Sequence, residues 1–194
     1  MPLRLLFLAK KYGVKAFINT DTILEKNISF YTLSKFQFNE WFEAYSNHLY
    51  CCNVKIEHFF GPKDNFTKFV IYLIVNILQK KKIKLTKGDQ KRDFIFIDDV
   101  VNAFEKIIEH SLKKKKGKDT FEIGTGKSIS IKKIALLILE ITKSNKNLLK
   151  FGAIPYRKNE PMNIKINLKK IKSIGWKPMH NIKESLEKTI SYYK

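Results

Sequence analysis

The chain has 194 residues, of which 44% are apolar and 13% aromatic. This composition excludes a disordered chain and supports one compact core, or one domain with a small lobe. The net charge is +20, but only three of the 38 cations are arginine, which leaves 38 − 3 = 35 lysines spread along the chain. Because arginine is the usual reader of bases, this pattern disfavours a nucleic-acid-binding module and indicates a codon bias.

Cysteine usage and hydropathy bear on the compartment. Cys51 and Cys52 are adjacent, which suits neither a disulfide framework nor a metal-ligand spacing, so we expect no metal and a reducing, cytoplasmic location. The longest apolar run, Phe69 to Leu78, has about half of the ~20 residues that a membrane span needs. We therefore expect no membrane partner.

Hydrophobic periodicity and turn residues predict alternating helices and strands. In chain order these are a helix over 3–12, a strand over 14–20, helix 30–48, strand 50–59, helix 66–81, short strands at 83–86 and 93–97, helix 98–112, strand 120–124, helix 131–143, a strand near 148–153, and helices near 167–174 and 181–193. The alternation predicts a parallel α/β sheet. The strand over 14–20 is apolar enough for the interior of a sheet, and too few strands precede it, so the sequence resembles the back half of a larger fold.

Two polar pairs follow the first predicted strand. Tyr31 and Lys35 are one turn apart on a predicted helix, where the ammonium stabilises a phenolate and the pair can exchange a proton with a hydroxyl. About 1.4 such pairs arise by chance in this composition, so an ordinary surface helix is the alternative. Thr20 and Asp21 end the strand, at the edge where α/β proteins bind ligands, although a simple Thr-Asp turn would look the same.

Three further candidates lie elsewhere in the chain. Arg92 precedes a buried strand and could bind a diphosphate, or form a salt bridge to Asp89 or Asp93. His58 lies at the end of a predicted strand, where a structural role is as compatible as a catalytic one. The segment 123–128, IGTGKS, ends like a phosphate-binding loop, but position 121 is Phe where that motif needs Gly, so we reject an ATP site.

The order of these segments resembles one family. A strand ending INTDT, the helix YTLSK, a strand ending FGPKD, then GDQKRDFIFIDDV, FEIGTG and finally IGWKP is similar to the NAD-dependent epimerase/dehydratase family, the extended short-chain dehydrogenases that act on nucleotide sugars. The resemblance implies an incomplete Rossmann-like parallel sheet with a small α/β substrate-binding lobe. Residues 1–60 would hold the catalytic core and 61–194 mainly the lobe, with some segments packing back on the core.

The resemblance also implies residue roles. Tyr31 corresponds to the catalytic acid/base, Lys35 to the lysine that holds the nicotinamide ribose, and Thr20 to the catalytic Ser or Thr. Asp21 corresponds to the acid of the 4,6-dehydratases, but their following glutamate is Thr22 here, which favours epimerisation or keto-reduction over dehydration. Arginines of the family that face the nucleotide diphosphate correspond to Arg92 and Arg157, and His58 replaces a frequent Asn at the substrate.

The implied function is an NAD(P)-dependent nucleotide-sugar epimerase or keto-reductase, with NAD or NADP as cofactor and a nucleotide-diphosphate sugar as partner. INTDT and YTLSK resemble most the synthases of dideoxyhexoses on cytidine diphosphate. The family's GxxGxxG turn is absent, so the expectation is a truncated form that is weak or inactive alone. A 4,6-dehydratase or a non-catalytic remnant stays open as an alternative, as does a homodimer or pairing with a missing N-terminal half.

Overall fold

A computed structural model describes residues 2–194. The elements in chain order are α1 Pro2–Lys11, β1 Ala16–Thr22, α2 Phe30–Tyr45, β2 Tyr50–Ile56, β3 His58–Phe60, α3 Phe69–Leu78, β4 Ile83–Lys84, β5 Lys91–Arg92, β6 Phe94–Phe96, α4 Ile97–Leu112, β7 Gly117–Ile123, β8 Ile129–Ser130, α5 Ile131–Thr142, β9 Leu149–Lys150, α6 Lys169–Ser173 and α7 Ile182–Tyr193. The predicted α/β alternation is confirmed.

The chain forms two compact units. The first consists of the described residues up to Glu57, together with Val101–Gly124 and Ile166–Lys177. Its parallel sheet has the order β1-β2-β7, and the register aligns Asn19 with Asn53. The carboxyl ends of all three strands therefore lie at one edge, where open α/β sheets bind their ligands.

Helices α1 and α2 cover one face of this sheet. Leu6 and Phe42 are fully buried, and the rings of Phe38 and Phe42 meet edge to face, with centroids 5.1 Å apart. Burying side chains of this size contributes about 1.5–3 kcal/mol each. Within residues 2–194, β1 pairs with β2 alone, whereas we predicted an interior strand. Phe17 and Ile18 are accordingly half-buried, because only one side of β1 is covered by a neighbouring strand.

The second unit contains His58–Val100, Thr125–Lys165 and Pro178–Lys194. Its ladders are two-stranded: β3 with β6 and β4 with β9 run parallel, and β5 with β8 runs antiparallel. Helices α3, α5 and α7 pack together around an aliphatic core that includes the fully buried Ile74 and Ile138. The predicted single strand 50–59 is two strands, because the chain leaves β2 after Ile56 and His58 pairs with Phe94 of a different sheet.

Two general observations concern the described part of the chain. No helix within residues 2–194 has both the length and the apolar character that crossing a bilayer requires. Both cysteines are buried thiols.

Candidate functional site at the carboxyl end of β1

Lys35 lies between β1 and Tyr31. Helix α2 begins at a capping box, in which the Ser29 hydroxyl accepts from the Thr32 amide at 3.2 Å and the Thr32 hydroxyl accepts from the Ser29 amide at 3.0 Å. This start fixes the position of the first turn, so Tyr31 and Lys35 share a helix face. The ammonium of Lys35 donates to the Thr20 carbonyl at 2.7 Å and lies 5.7 Å from the centroid of the Tyr31 ring.

The phenol of this pair is open to solvent. The Tyr31 side chain is 59% exposed, and Thr20 is exposed as well. The ammonium of Lys35 therefore brings Tyr31 and the backbone of Thr20 together at the edge of the sheet where α/β proteins bind ligands. Such a set can bind a substrate hydroxyl and exchange a proton with it.

Asp21 is held in place from two sides. Its carboxylate accepts from the Thr22 amide at 2.7 Å and from the side-chain amide of Asn53 at 2.7 Å. Because successive strand residues point to opposite faces, the side chains of Asp21 and Thr20 lie on opposite faces of β1. The carboxylate is thus oriented by the fold rather than free to rotate.

Asn53 was not among the site residues predicted from the sequence. It is fully buried in the middle of β2 and accepts from the side-chain amide of Asn19 at 2.9 Å while donating to Asp21. Asn19, Asn53 and Asp21 form a line of polar side chains across two strands. The signal available in the sequence was an asparagine within the otherwise apolar run YCCNV, because a buried amide needs partners.

In the second unit, the two predicted arginines differ in their surroundings. Arg92 is 5% exposed, and its guanidinium pairs with the Glu160 carboxylate and donates to the Pro161 carbonyl at 2.6 Å. Arg92 therefore holds the segment that follows Arg157. The side chain of Arg157 is exposed, and its guanidinium makes no hydrogen bond or ion pair with any residue between 2 and 194.

His58 and residues 125–128 of the IGTGKS segment belong to the second unit. His58 begins β3, is half-buried, and its ring meets the edge of Phe94 at a centroid distance of 5.4 Å. The backbone amides of Thr125 and Gly126 donate to the buried carboxylate of Asp93 at 2.9 and 2.6 Å. These amides of the IGTGKS segment thus bind a carboxylate of the chain itself. Gly126 has φ of +76°, which suits glycine at this turn.

The structure therefore groups Thr20, Asp21, Tyr31 and Lys35 in the first unit. His58, Arg92 and Arg157 belong to the second unit. The first group was predicted from strand ends and helix spacing, whereas Asn53 and the Arg92–Glu160 pair depend on contacts between residues far apart in sequence.

Comparison with known proteins identifies a family. The family model described as "NAD dependent epimerase/dehydratase family" matches residues 1–124. CDP-abequose synthase of Salmonella typhimurium is 37% identical over 201 residues, covering 97% of this chain and 66% of the relative. The chain spans about two thirds of the length of such relatives.

Solved structures show the same fold. UDP-glucose 4-epimerase of Thermotoga maritima, determined with UDP-glucose, superimposes with a TM-score of 0.87 at 24% identity, covering 98% of this chain and 67% of that one. dTDP-glucose 4,6-dehydratase of Bacillus anthracis, in complex with NAD, gives a TM-score of 0.83 at 20% identity, covering 98% and 65%. The predicted Rossmann-like α/β class is confirmed. From the matched residues 1–124 and the similarity to CDP-abequose synthase, we conclude that the chain belongs to the NAD-dependent epimerase/dehydratase family.

Proposed function

We propose that this chain carries the acid–base and sugar-nucleotide-binding residues of an NAD(P)-dependent nucleotide-sugar epimerase or keto-reductase. The observation that supports this best is the position of Lys35, whose ammonium links the Thr20 carbonyl to the Tyr31 ring at the carboxyl end of β1. The similarity to CDP-abequose synthase favours a cytidine-diphosphate sugar as the substrate.

In this proposal, Tyr31 moves the proton. As a phenolate it takes the proton from a sugar hydroxyl when the carbon is oxidised, and as a phenol it returns that proton when the carbonyl is reduced. The Lys35 ammonium stabilises the phenolate by its charge, and the Thr20 hydroxyl hydrogen-bonds the reacting sugar oxygen. Asp21, oriented by Asn53, binds a further sugar hydroxyl.

The cofactor implied by the family fits one part of this site. Tyr31 and Lys35 offer an exposed hydroxyl and an ammonium to the hydroxyls of a nicotinamide ribose, at the edge of the sheet that suits a ligand. The 194 residues contain no GxxGxxG segment, so we assign no residue to the pyrophosphate. NAD or NADP, when bound, would accept a hydride from the sugar carbon and return it.

The second unit contains its own candidate residue for binding a diphosphate. Arg157 offers a free planar guanidinium, which binds a diphosphate with two parallel hydrogen bonds. Arg92 would act on the diphosphate through its contacts with Glu160 and Pro161, which hold the segment that carries Arg157. His58 would contact the substrate from the start of β3.

Epimerisation or keto-reduction fits better than dehydration. Thr22 follows Asp21, and its hydroxyl accepts from the Leu24 amide at 3.2 Å, so this position offers no carboxylate to remove a proton from carbon. A 4,6-dehydratase needs such a base, which is why it remains the second choice.

The test is turnover by the purified chain with NAD(P)H or NAD(P) and a panel of CDP-, UDP- and dTDP-sugars. The absorbance of the reduced nicotinamide follows keto-reduction, whereas chromatographic separation of the product sugars follows epimerisation, which leaves the cofactor unchanged overall. We expect Tyr31→Phe to lower kcat by about 10²–10⁴-fold and to leave substrate binding unchanged. Tyr12→Phe, at a tyrosine that is 73% exposed, is the matched control. Turnover that survives Tyr31→Phe would contradict the assignment, and substrate binding without any turnover would favour the non-catalytic alternative.

We also propose a homodimer through α1 and α2. These packed helices leave apolar side chains exposed, including Leu5 (47%), Phe7 (53%) and Trp41 (47%). Large apolar side chains left exposed on packed helices are typical of an interface. Sedimentation should show a dimer that Trp41→Glu shifts toward the monomer, whereas Tyr72→Glu, at a similarly exposed residue of α3, should not.

A further inference from the structure

A lysine-lined cavity lies at the opposite end of the first unit's sheet. It is a half-open depression with a volume of about 470 Å³, bordered by the end of α1, the loop before β1, the loop before β2 and the end of α4. The amino ends of β1, β2 and β7 lie at this edge, as their register shows. A seven-residue strand is roughly 20 Å long, so the cavity is well separated from Tyr31 and Thr20.

The lining of this cavity is far more basic than the chain as a whole. Lysines make up 35 of 194 residues overall, but five of the ten lining residues. The five are Lys10, Lys15, Lys113, Lys114 and Lys115; His48 also lines the cavity, and no acidic residue does. The chain's general lysine excess therefore does not account for this concentration.

These lysines are available to a ligand. All five are exposed, and none forms an ion pair with a carboxylate anywhere in residues 2–194. Lys10 lies 5.8 Å from the centroid of the Tyr45 ring, a contact that keeps its charge intact. Two backbone bonds fix the start of the Lys113–Lys115 run against the end of α4, because the Lys113 amide donates to the His110 carbonyl at 3.2 Å and the Lys114 amide to the Ser111 carbonyl at 3.1 Å.

The carboxyl ends of nearby helices compensate only part of the positive charge of these lysines. Helices α1, α2 and α4 all end near the cavity, and each helix carboxyl end is equivalent to about half a negative charge. Three such ends supply about 3 × 0.5 = 1.5 negative charges, against five lysine charges. The surplus makes the cavity attractive to a multivalent anion, and clustered like charges of this kind repel one another until an anion binds.

We propose that this cavity binds a small multivalent phosphate anion, such as an oligophosphate chain. A concave site of this volume has room for a compact anion, and lysine ammonium groups bind phosphate as point charges from several directions. The site lies apart from the residues of the proposed catalytic edge, so the inference does not depend on the enzyme's activity.

The test is calorimetric titration of the whole chain with sodium tripolyphosphate at low and at physiological salt. We expect K113Q/K114Q/K115Q to weaken binding about tenfold or more, because it removes three of the five cations. The matched control is K80Q/K81Q/K82Q, which removes the same charge from a lysine run after helix α3, in the second unit. This control should change the affinity by less than about twofold. Circular dichroism would verify that both variants are folded.

Every outcome either supports or overturns the proposed phosphate site. Equal weakening by both triple variants would show a general charge effect and overturn the proposal, as would wild-type protein that does not bind tripolyphosphate. Parallel titrations with phosphatidylglycerol vesicles and with duplex DNA identify the source of the phosphate. Binding to vesicles or DNA without binding to tripolyphosphate would overturn a site for a small free anion.

Discussion

The side-chain amide of Asn53 donates a 2.7 Å hydrogen bond to the Asp21 carboxylate from a fully buried position in β2. The side-chain oxygen of Asn53 is also hydrogen-bonded, because it accepts from the side-chain amide of Asn19 at 2.9 Å. A buried amide with both ends paired is tolerated in a core, whereas its removal leaves the partners without bonds. Asn53 thus couples the core of the sheet to the proposed catalytic edge.

We expect Asn53→Leu to lower the free energy of unfolding by about 1–3 kcal/mol, because Asn19 and Asp21 both lose a partner. Urea denaturation monitored by circular dichroism measures this free energy of unfolding. The control is Asn47→Leu, at an exposed residue of the loop after α2, where a change within about 0.5 kcal/mol is expected. Equal stability of the two variants would contradict the role of Asn53.

Asp119 in β7 collects three donors. Its carboxylate accepts from the Tyr50 hydroxyl, lies 3.2 Å from Nε2 of His110, and pairs with the Lys170 ammonium. Burial raises the pKa of the Asp119 carboxyl, but the bonds from Lys170, Tyr50 and His110 outweigh it and hold the pKa below its ordinary value. Burial, followed by the bond to Asp119, raises the pKa of Tyr50.

This lowered pKa predicts acid sensitivity. The ionised Asp119 carboxylate stabilises the folded state fully above the unfolded-state pKa of an aspartate, about 3.9. This stabilisation is lost as the pH falls through the lower pKa that Asp119 has in the folded state, because the unfolded chain binds the proton more tightly. Asp119→Asn should reduce stability at neutral pH by about 1–3 kcal/mol, and its deficit should shrink below about pH 4. Urea midpoints over this pH range measure it, with the exposed Glu105→Gln as control. A deficit that stays constant with pH would argue against the carboxylate's role.

The two cysteines should be almost inert in the native protein. Burial raises the pKa of the Cys51 thiol from 9.0 to about 11 and that of Cys52 to about 12, and both side chains are fully buried. At pH 8 the change for Cys51 alone lowers the thiolate fraction about a hundredfold. We expect a disulfide reagent to modify neither cysteine promptly in buffer and both at once in urea. Rapid modification of the native protein would contradict the packing of β2.

Asp93 should be among the most sensitive acidic residues of the second unit. Its carboxylate is buried and accepts from two backbone amides and from the Thr125 hydroxyl, the latter at 2.6 Å. Asp93→Ala leaves these donors unpaired and should cost about 3 kcal/mol or more. Asp98→Ala, at an exposed residue of the first turn of α4, should cost about 1 kcal/mol or less. Thermal unfolding of both variants would reveal the difference, and similar midpoints would refute it.

Local signals accounted for much of the fold. Ser29 and Ser130 each stand just before a predicted helix, and both accept the backbone amide three residues on, as a capping residue does. The spacing of Tyr31 and Lys35 placed them on one face of α2. These features depend on neighbouring residues, so the sequence contains the information directly.

Long-range partners could not be read in the same way. Asp99 lies in the first turn of the helix predicted over 98–112, where the helix dipole favours an acid, yet its buried carboxylate also accepts from the Met179 and His180 amides at 3.0 and 3.1 Å, some 80 residues away. Similarly, nothing near Arg92 indicates Glu160 as its partner. The change of sheet at Glu57 was missed because alternation in a strand does not reveal which strand lies beside it.

The bond between Lys35 and Thr20 has a consequence for the backbone of β1. The Lys15 carbonyl faces β2, where it accepts from the Tyr50 amide at 3.4 Å, and along a strand the backbone groups of alternate residues face alternate sides. Thr20, five residues on, therefore turns its carbonyl away from β2, and the ammonium takes the place of a neighbouring strand. Deuterium uptake along β1 should accordingly alternate, with slow exchange at residues 17, 19 and 21 and fast exchange at the residues between them.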